Sequence, residues 1–332
     1  MIKVCVMPGD GIGREVIPVA VKVLQAAIPQ LYVVEARAGW ACFESTGQSV
    51  SPEAMAALTD CRAGLFGAVA SPARRVEGYR SSILTLRQAF HLFANIRPIR
   101  FLPLVSPGKQ IDLVLFRENT EDLYIGEEQQ RGDVAEAVKR ISRAASRRIA
   151  QVALTCLQTR PRKKLTIVHK ANVLPVTDGL FRDTVLEEVS AHRDKGHVCE
   201  VEELLVDVAA LKLVSHPESF DVIVAPNLYG DILSDIAAHW MGGLGFAPGL
   251  NLGDGIAIAE PVHGSAPDIA GKNMAHPAAA ILSGALLARW AWGQTLAAQA
   301  IENALHSALQ SWGSRPIETR AFGEEVAARV SD

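Results

Sequence analysis

The feature that most constrains this chain is a repeated alternation of short apolar, β-branched runs with segments of helical period. Residues 165–169, 198–204 and 221–225 read as strands, and residues 177–188, 209–214 and the stretch after 227 read as helices. Such alternation builds an α/β fold whose sheet is at least partly parallel. The chain opens the same way, with a strand over 2–7, a Gly-rich turn, a helix over 14–27, a strand over 32–37, a short helix over 52–59 and a strand over 63–69. Next come an amphipathic helix over 81–93, an extended Asn95-Ile96-Arg97-Pro98-Ile99 and a strand over 111–116. Residues 133–158 read as helical, although the part near Val134 also fits an extended arm. Two prolines and a glycine in 103–108 mark a domain crossing. After 242 the chain reads as loop-rich to 271 and closes with helices over 278–292, 296–311 and 322–330.

At 332 residues, two domains are expected. A net charge of −3 leaves no basic field for nucleic acid or an anionic membrane surface. The five cysteines are scattered and form no C-x-x-C pair, which excludes a zinc or disulfide framework and favours a reducing, cytoplasmic setting. The apolar runs are too short to span a bilayer, and the N-terminus leads into a strand rather than a signal peptide.

Asp231 and Asp235 lie four apart at the start of the helix that follows the strand 221–225, so both carboxylates project from one face. Two readings stay open: an N-cap with a solvated neighbour, or a divalent-cation site outside the end of a strand. Arg87, Arg97 and Arg117 stand on the 81–93 helix, the extended segment and a strand end, where a buried guanidinium calls for an anion. Together they suit a di- or tricarboxylate; singly, each suits an ordinary salt bridge. Tyr124 and Lys170 follow strand ends as well. Beside cations, the phenol would be acidified and the amine would become a base; the simpler readings are an amphipathic filler and a surface lysine. The run Glu260-Pro261-Val262-His263-Gly264-Ser265-Ala266-Pro267-Asp268-Ile269-Ala270-Gly271-Lys272 can wrap an adenine and ribose, with Asp268 on a 2′-hydroxyl, or be a structural loop. Gly9, Gly11 and Gly13 are spaced G-x-G-x-G, out of register with a dinucleotide fingerprint, so a tight strand-to-helix turn is preferred there.

Taken in order, Pro8-Gly9-Asp10-Gly11-Ile12-Gly13, Asn95-Ile96-Arg97-Pro98, Arg117-Glu118-Asn119-Thr120-Glu121, His169-Lys170-Ala171-Asn172-Val173-Leu174, Gly230-Asp231-Ile232-Leu233-Ser234-Asp235 and the 260–272 run resemble the β-decarboxylating dehydrogenases over nearly the whole chain. That family includes isocitrate, homoisocitrate, 3-isopropylmalate and D-malate/tartrate dehydrogenases. The resemblance implies a two-domain α/β fold with a large mixed sheet that is not a Rossmann fold. Residues 1–99 plus 249–332 would form the cofactor domain, and residues 100–248 the dimerisation and metal/substrate domain. It also implies a homodimer or homotetramer with shared active sites.

By the same resemblance, Arg87, Arg97 and Arg117 clamp the substrate carboxylates, and Ser81 contacts the variable substituent. Asp231 and Asp235 hold Mg²⁺ or Mn²⁺, with Asp207 as a third carboxylate from the neighbouring subunit. Lys170, as base, and Asn172 also come from that neighbour, with Tyr124 as acid. Glu260, His263, Gly264, Ser265, Ala266, Asp268 and Ile269 resemble an NAD-preferring cofactor loop, with His276 where the family carries Asn. The implied reaction is NAD-dependent oxidative decarboxylation of a (2R,3S)-3-substituted malate. The mixed hydroxyl and apolar residues near Ser81, Ile83 and Leu84 favour homoisocitrate, giving 2-oxoadipate in lysine biosynthesis. Isocitrate and 3-isopropylmalate are the alternative substrates, and a silent regulatory subunit is the non-enzyme alternative.

Overall fold

The structure, a computed structural model, describes residues 1–74 and 76–331; Arg75 and Asp332 lie outside the described residues. In chain order the elements are β1 (Lys3–Met7), α1 (Gly13–Ala27), β2 (Tyr32–Glu35), α2 (Trp40–Thr46), α3 (Pro52–Cys61), β3 (Ala63–Phe66), α4 (Ser82–Ala89), β4 (Ala94–Arg100) and β5 (Asp112–Glu118). There follow β6 (Glu128–Arg131), β7 (Val134–Ala137), α5 (Arg143–Leu157), β8 (Lys164–His169), α6 (Thr177–Asp194), β9 (Glu200–Leu205) and α7 (Val206–Ser215). The last are β10 (Val222–Ala225), α8 (Asn227–Ala238), β11 (Pro248–Gly253), β12 (Ile256–Pro261), α9 (Ala278–Trp290), α10 (Thr295–Trp312) and α11 (Thr319–Ser331). The fold class is α/β with mixed strand directions, as read from the sequence.

The chain divides into two compact units. One comprises Met1–Leu92, Leu102–Pro107 and Met241–Asp332; the other comprises Phe93–Phe101 and Gly108–Trp240. In the first unit the strands run β2-β1-β3-β12-β11. All neighbours are parallel except β11 and β12. This is not the strand order of a classic dinucleotide-binding fold. The helix α1 buries Val16, Ile17, Ala20, Val23 and Leu24 at helical spacing and packs on α9 and α11. The helix α9 is buried along almost its whole length, as expected of a helix apolar on every side.

In the second unit the order is β4-β5-β10-β8-β9, antiparallel only between β4 and β5. All four residues of β10 are fully buried, which explains a strand of unbroken apolar residues in a parallel setting. Among the described residues, no helix is long and apolar enough to cross a membrane.

Three segments differ from the sequence reading. The stretch read as loop-rich holds the antiparallel pair β11/β12, joined at Asp254-Gly255 with Gly255 at φ +68°. Asp-Gly between apolar runs is a hairpin signal, and the surrounding glycines obscured it. Near Val134 the extended reading holds: β6 and β7 form an exposed two-stranded ribbon, and helix begins at Arg143, where Ser142 Oγ accepts from Ala145 N. The helix read over 81–93 ends at Ala89, because His91 adopts φ +47° and turns the chain toward β4.

Candidate active site

The strand β10 feeds directly into α8, whose helical geometry begins at Asn227 after Pro226. Asp231 is therefore not the helix cap; it is one turn inside, with Asp235 a turn further on the same face. Beside β10 runs β5, with Arg117 in register with Ala225, so its side chain emerges against the first turn of α8. There it is 2% exposed. Its Nε donates to Asn227 Oδ1 at 2.8 Å, its Nη1 pairs with Asp231, and its guanidinium lies 4.8 Å over the Tyr124 ring. The Arg117 Nη2 is buried without a hydrogen-bond partner among the described residues. A buried cation with an unanswered donor suits an anionic ligand.

Two residues not singled out from the sequence make this possible. Asn227 supplies the acceptor for Arg117 and donates to Glu121 O at 3.1 Å. At Gly230, a Cβ would lie 2.7 Å from Arg117 Cβ, so only glycine lets α8 approach the arginine this closely.

The Tyr124 hydroxyl donates to Asp231. Burial pushes the phenol above its usual range, and the bond to Asp231 adds to this, outweighing Arg117. Partial desolvation likewise raises the Asp235 carboxyl; Arg97 opposes this and Asp231 reinforces it. Arg97 itself is 7% exposed, and its Nε donates to Asn95 Oδ1 at 2.6 Å. The second unit thus gathers Arg97, Arg117, Tyr124, Asp231 and Asp235 around one face of α8.

Lys170, one residue past β8, pairs with Asp207 in the first turn of α7, and this lysine holds the Asp207 carboxyl below its usual range. Asn172 is exposed on the same loop. Among the described residues no three of His, Cys, Asp and Glu gather into a metal-sized cluster, so Asp207 does not join Asp231 and Asp235 within one chain. Two hard carboxylates fit a divalent cation, but as an incomplete set.

A buried network that the sequence did not reveal frames these loops. Lys139 pairs with Asp178 at 2.6 Å and Asp122 at 3.6 Å, and lies 4.3 Å over the Tyr229 ring. Burial depresses the Lys139 ammonium, yet Asp178 and Asp122 carry it above its usual value. The far side of that network sets two backbones: Asp178 accepts from Lys170 N, and Asp122 from Leu228 N at the start of α8.

In the first unit, Arg87 reaches Asn251 and Glu260, and Ser81 precedes α4 without capping it. The 260–272 loop is tied down at its middle and at its far end. Ser265 O accepts from Ile12 N at 2.9 Å, and Glu15 accepts from Gly271 N and Asn273 N. A Cβ on Gly11 would lie 2.0 Å from Ser265 O, so the Gly-rich turn is a packing device, as preferred from its spacing. His263 donates from Nδ1 to Gly264 O, and its buried Nε2 has no partner among the described residues. Burial lowers its pKa, so Nε2 stands as an acceptor, the kind of orphan a bound cofactor would answer. Gly264 and Asp268 are exposed, and Ala266 adopts φ +38°. His276 lies 4.4 Å from the Phe246 ring and 4.7 Å from Phe322, and accepts from Ala278 N through Nδ1; burial pushes its pKa down to about 4.

Residues 3–329 match the family described as isocitrate/isopropylmalate dehydrogenase, and the chain belongs to that family. It is an NAD-dependent decarboxylating dehydrogenase acting on a hydroxy acid with a divalent metal. A Thermus thermophilus protein named isocitrate/homoisocitrate dehydrogenase is 48% identical over 98% of this chain and 97% of its own length. A homoisocitrate dehydrogenase of Methanocaldococcus jannaschii is 45% identical over 86% of this chain and 84% of its own. Among solved structures, an isocitrate dehydrogenase from Methylococcus capsulatus superposes with a TM-score of 0.92 at 36% identity, covering 100% of both chains.

Proposed function

We propose that this enzyme oxidatively decarboxylates homoisocitrate to 2-oxoadipate, with isocitrate and 3-isopropylmalate as weaker substrates. The observation that carries an anionic, multiply charged substrate is Arg117: buried, half answered by Asp231, and with Nη2 unanswered. Arg97 and Arg87 are proposed as further carboxylate ligands by family resemblance, each guanidinium suited to a planar carboxylate. The longer acid is favoured by the mix of hydroxyl and apolar groups, Ser81, Ile83 and Leu84, at the opening of α4, although Leu84 by itself resembles the leucine of 3-isopropylmalate enzymes, and by relatives whose names include homoisocitrate. One or two methylenes are weakly discriminated, so side activity belongs to the proposal.

Asp231 and Asp235 would hold Mg²⁺ or Mn²⁺ together with Asp207 of a second copy, in a homodimer or tetramer. When bound, the cation polarises the substrate hydroxyl and carboxylate, and NAD⁺ takes the hydride. Lys170 of the second copy removes the hydroxyl proton, with Asn172 beside it. Tyr124, a phenol protonated at neutral pH, gives its proton to the carbon that has lost CO₂. Residues 260–269 would take the cofactor: Glu260, His263, Gly264, Ser265, Ala266 and Ile269 line it and Asp268 reads the ribose 2′-hydroxyl, while His276 flanks the adenine. All five cysteines are free thiols, which suits a reducing cytoplasm.

The test is kcat/KM for homoisocitrate, isocitrate, 3-isopropylmalate and D-malate with NAD⁺. The expected result is homoisocitrate first, with isocitrate within about a hundredfold. A preference for 3-isopropylmalate over both would overturn the substrate assignment.

A further inference from the structure

Arg87 stands near the end of α4, and groups of its own unit grip its guanidinium on two sides. Nε donates to Asn251 Oδ1 at 3.1 Å, and Nη2 lies 3.5 Å from Glu260 Oε1. Asn251, fully buried in β11, donates through Nδ2 to that same Oε1 at 2.8 Å. The three side chains close a ring. The strand pairing builds it: Gly249 stands opposite Glu260, so Asn251, two residues on, is its diagonal neighbour on the same face. The side chains of Arg87 and Glu260 are only 11% and 13% exposed, so solvent screens the pair weakly.

We infer that Glu260 is a positioning residue for the substrate, setting the plane of Arg87 before a carboxylate arrives. The inference rests on the reading of Arg87 as a substrate ligand. A guanidinium offers its donors in one plane, and a planar carboxylate is gripped well only when the two planes agree. An arginine held in that plane beforehand loses less conformational freedom on binding. Asn251 makes the hold specific, because it engages both the Arg87 Nε and the Glu260 carboxylate. Glu260 also opens the 260–272 loop, so a single carboxylate links the proposed substrate arginine to the proposed cofactor loop.

The test is steady-state kinetics on Glu260→Ala, Glu260→Gln, Arg87→Ala and the Glu260→Ala/Arg87→Ala double variant. The acid giving the highest turnover and NAD⁺ are varied separately. The expected result is a drop of about thirtyfold in kcat/KM for the acid in Glu260→Ala, in the range of losing one buried charged partner. Glu260→Gln keeps an acceptor for Asn251 and Arg87, and should lose only about threefold. Because Glu260 also lines the proposed cofactor site, KM for NAD⁺ should rise in Glu260→Ala, but by much less than kcat/KM for the acid falls, and Glu260→Ala should cause no further loss with the acid once Arg87 is alanine. A rise in KM for NAD⁺ matching the loss with the acid would overturn the inference alone. So would a gain in kcat/KM on removing the Glu260 charge, or effects that multiply in the double variant. If Arg87→Ala leaves kcat/KM for the acid unchanged, the reading of Arg87 fails and the inference with it.

Discussion

Arg117–Asp231 and Lys170–Asp207 are both cation–carboxylate pairs at the carboxyl ends of parallel strands, and they differ in almost everything else. In the first, the arginine is 2% exposed and the aspartate 37%; in the second, the lysine is 25% exposed and the aspartate 62%. The first is surrounded by help: Asn227 on Nε, the Tyr124 ring against the guanidinium, and the Tyr124 hydroxyl on the carboxylate. The second has an open carboxylate. A buried charge must be answered by its own chain, because leaving it unpaired is expensive. An exposed pair carries little stability, and its members remain available to another ligand. The proposal of a shared site follows this division: one pair belongs to the half of a site that a single chain builds, the other to the half it offers to a second copy.

Asp231→Asn should break the comparison most severely. It should abolish turnover and also destabilise the fold by about 3 kcal/mol, because Arg117 keeps its charge in a buried position. Urea unfolding together with an NADH assay checks both, and full activity would sink the metal assignment. Asn227→Ala should cost about 2 kcal/mol, since it strips an acceptor from the buried Arg117 Nε. An unchanged urea midpoint would mean that Asp231 alone supports the arginine. Asp207→Asn should leave the melting temperature unchanged while abolishing turnover; a marked loss of stability would make that pair structural.

How legible this was depended on the range of the interaction. The pairing of Asp231 with Asp235 is a property of one helical turn, and helical spacing exposed it. The strand-end position of Arg117 was equally plain. What holds Arg117, though, is Asn227 and the missing side chain of Gly230, more than a hundred residues away in sequence. No local pattern announces that. Lys139, Asp122 and Asp178 meet from three separate segments, so no local pattern marks any of them. At Tyr124, burial and the Asp231 oxygen outweigh Arg117 and raise the phenol's pKa, a balance that no local pattern announces. The β11/β12 hairpin was misread although Asp254-Gly255 signals it, since flanking glycines resemble loop. Asp207 as a metal ligand came only from family resemblance, since nothing local sets it apart from any other acidic residue in a first helical turn.

The most direct test of the central claim mixes two inactive variants, Lys170→Ala and Asp231→Asn. Each is unfolded and refolded alone, then both together, so that subunits exchange. If active sites are shared, a mixed dimer carries one site with both changes and one with neither. Activity should then return to about a quarter of the parental value at equal mixing, the share expected of random pairing in a two-fold dimer. Activity that stays at zero in mixtures shown by mass spectrometry to contain mixed dimers would contradict the account, and would place Lys170 and Asp231 in the site of one and the same chain.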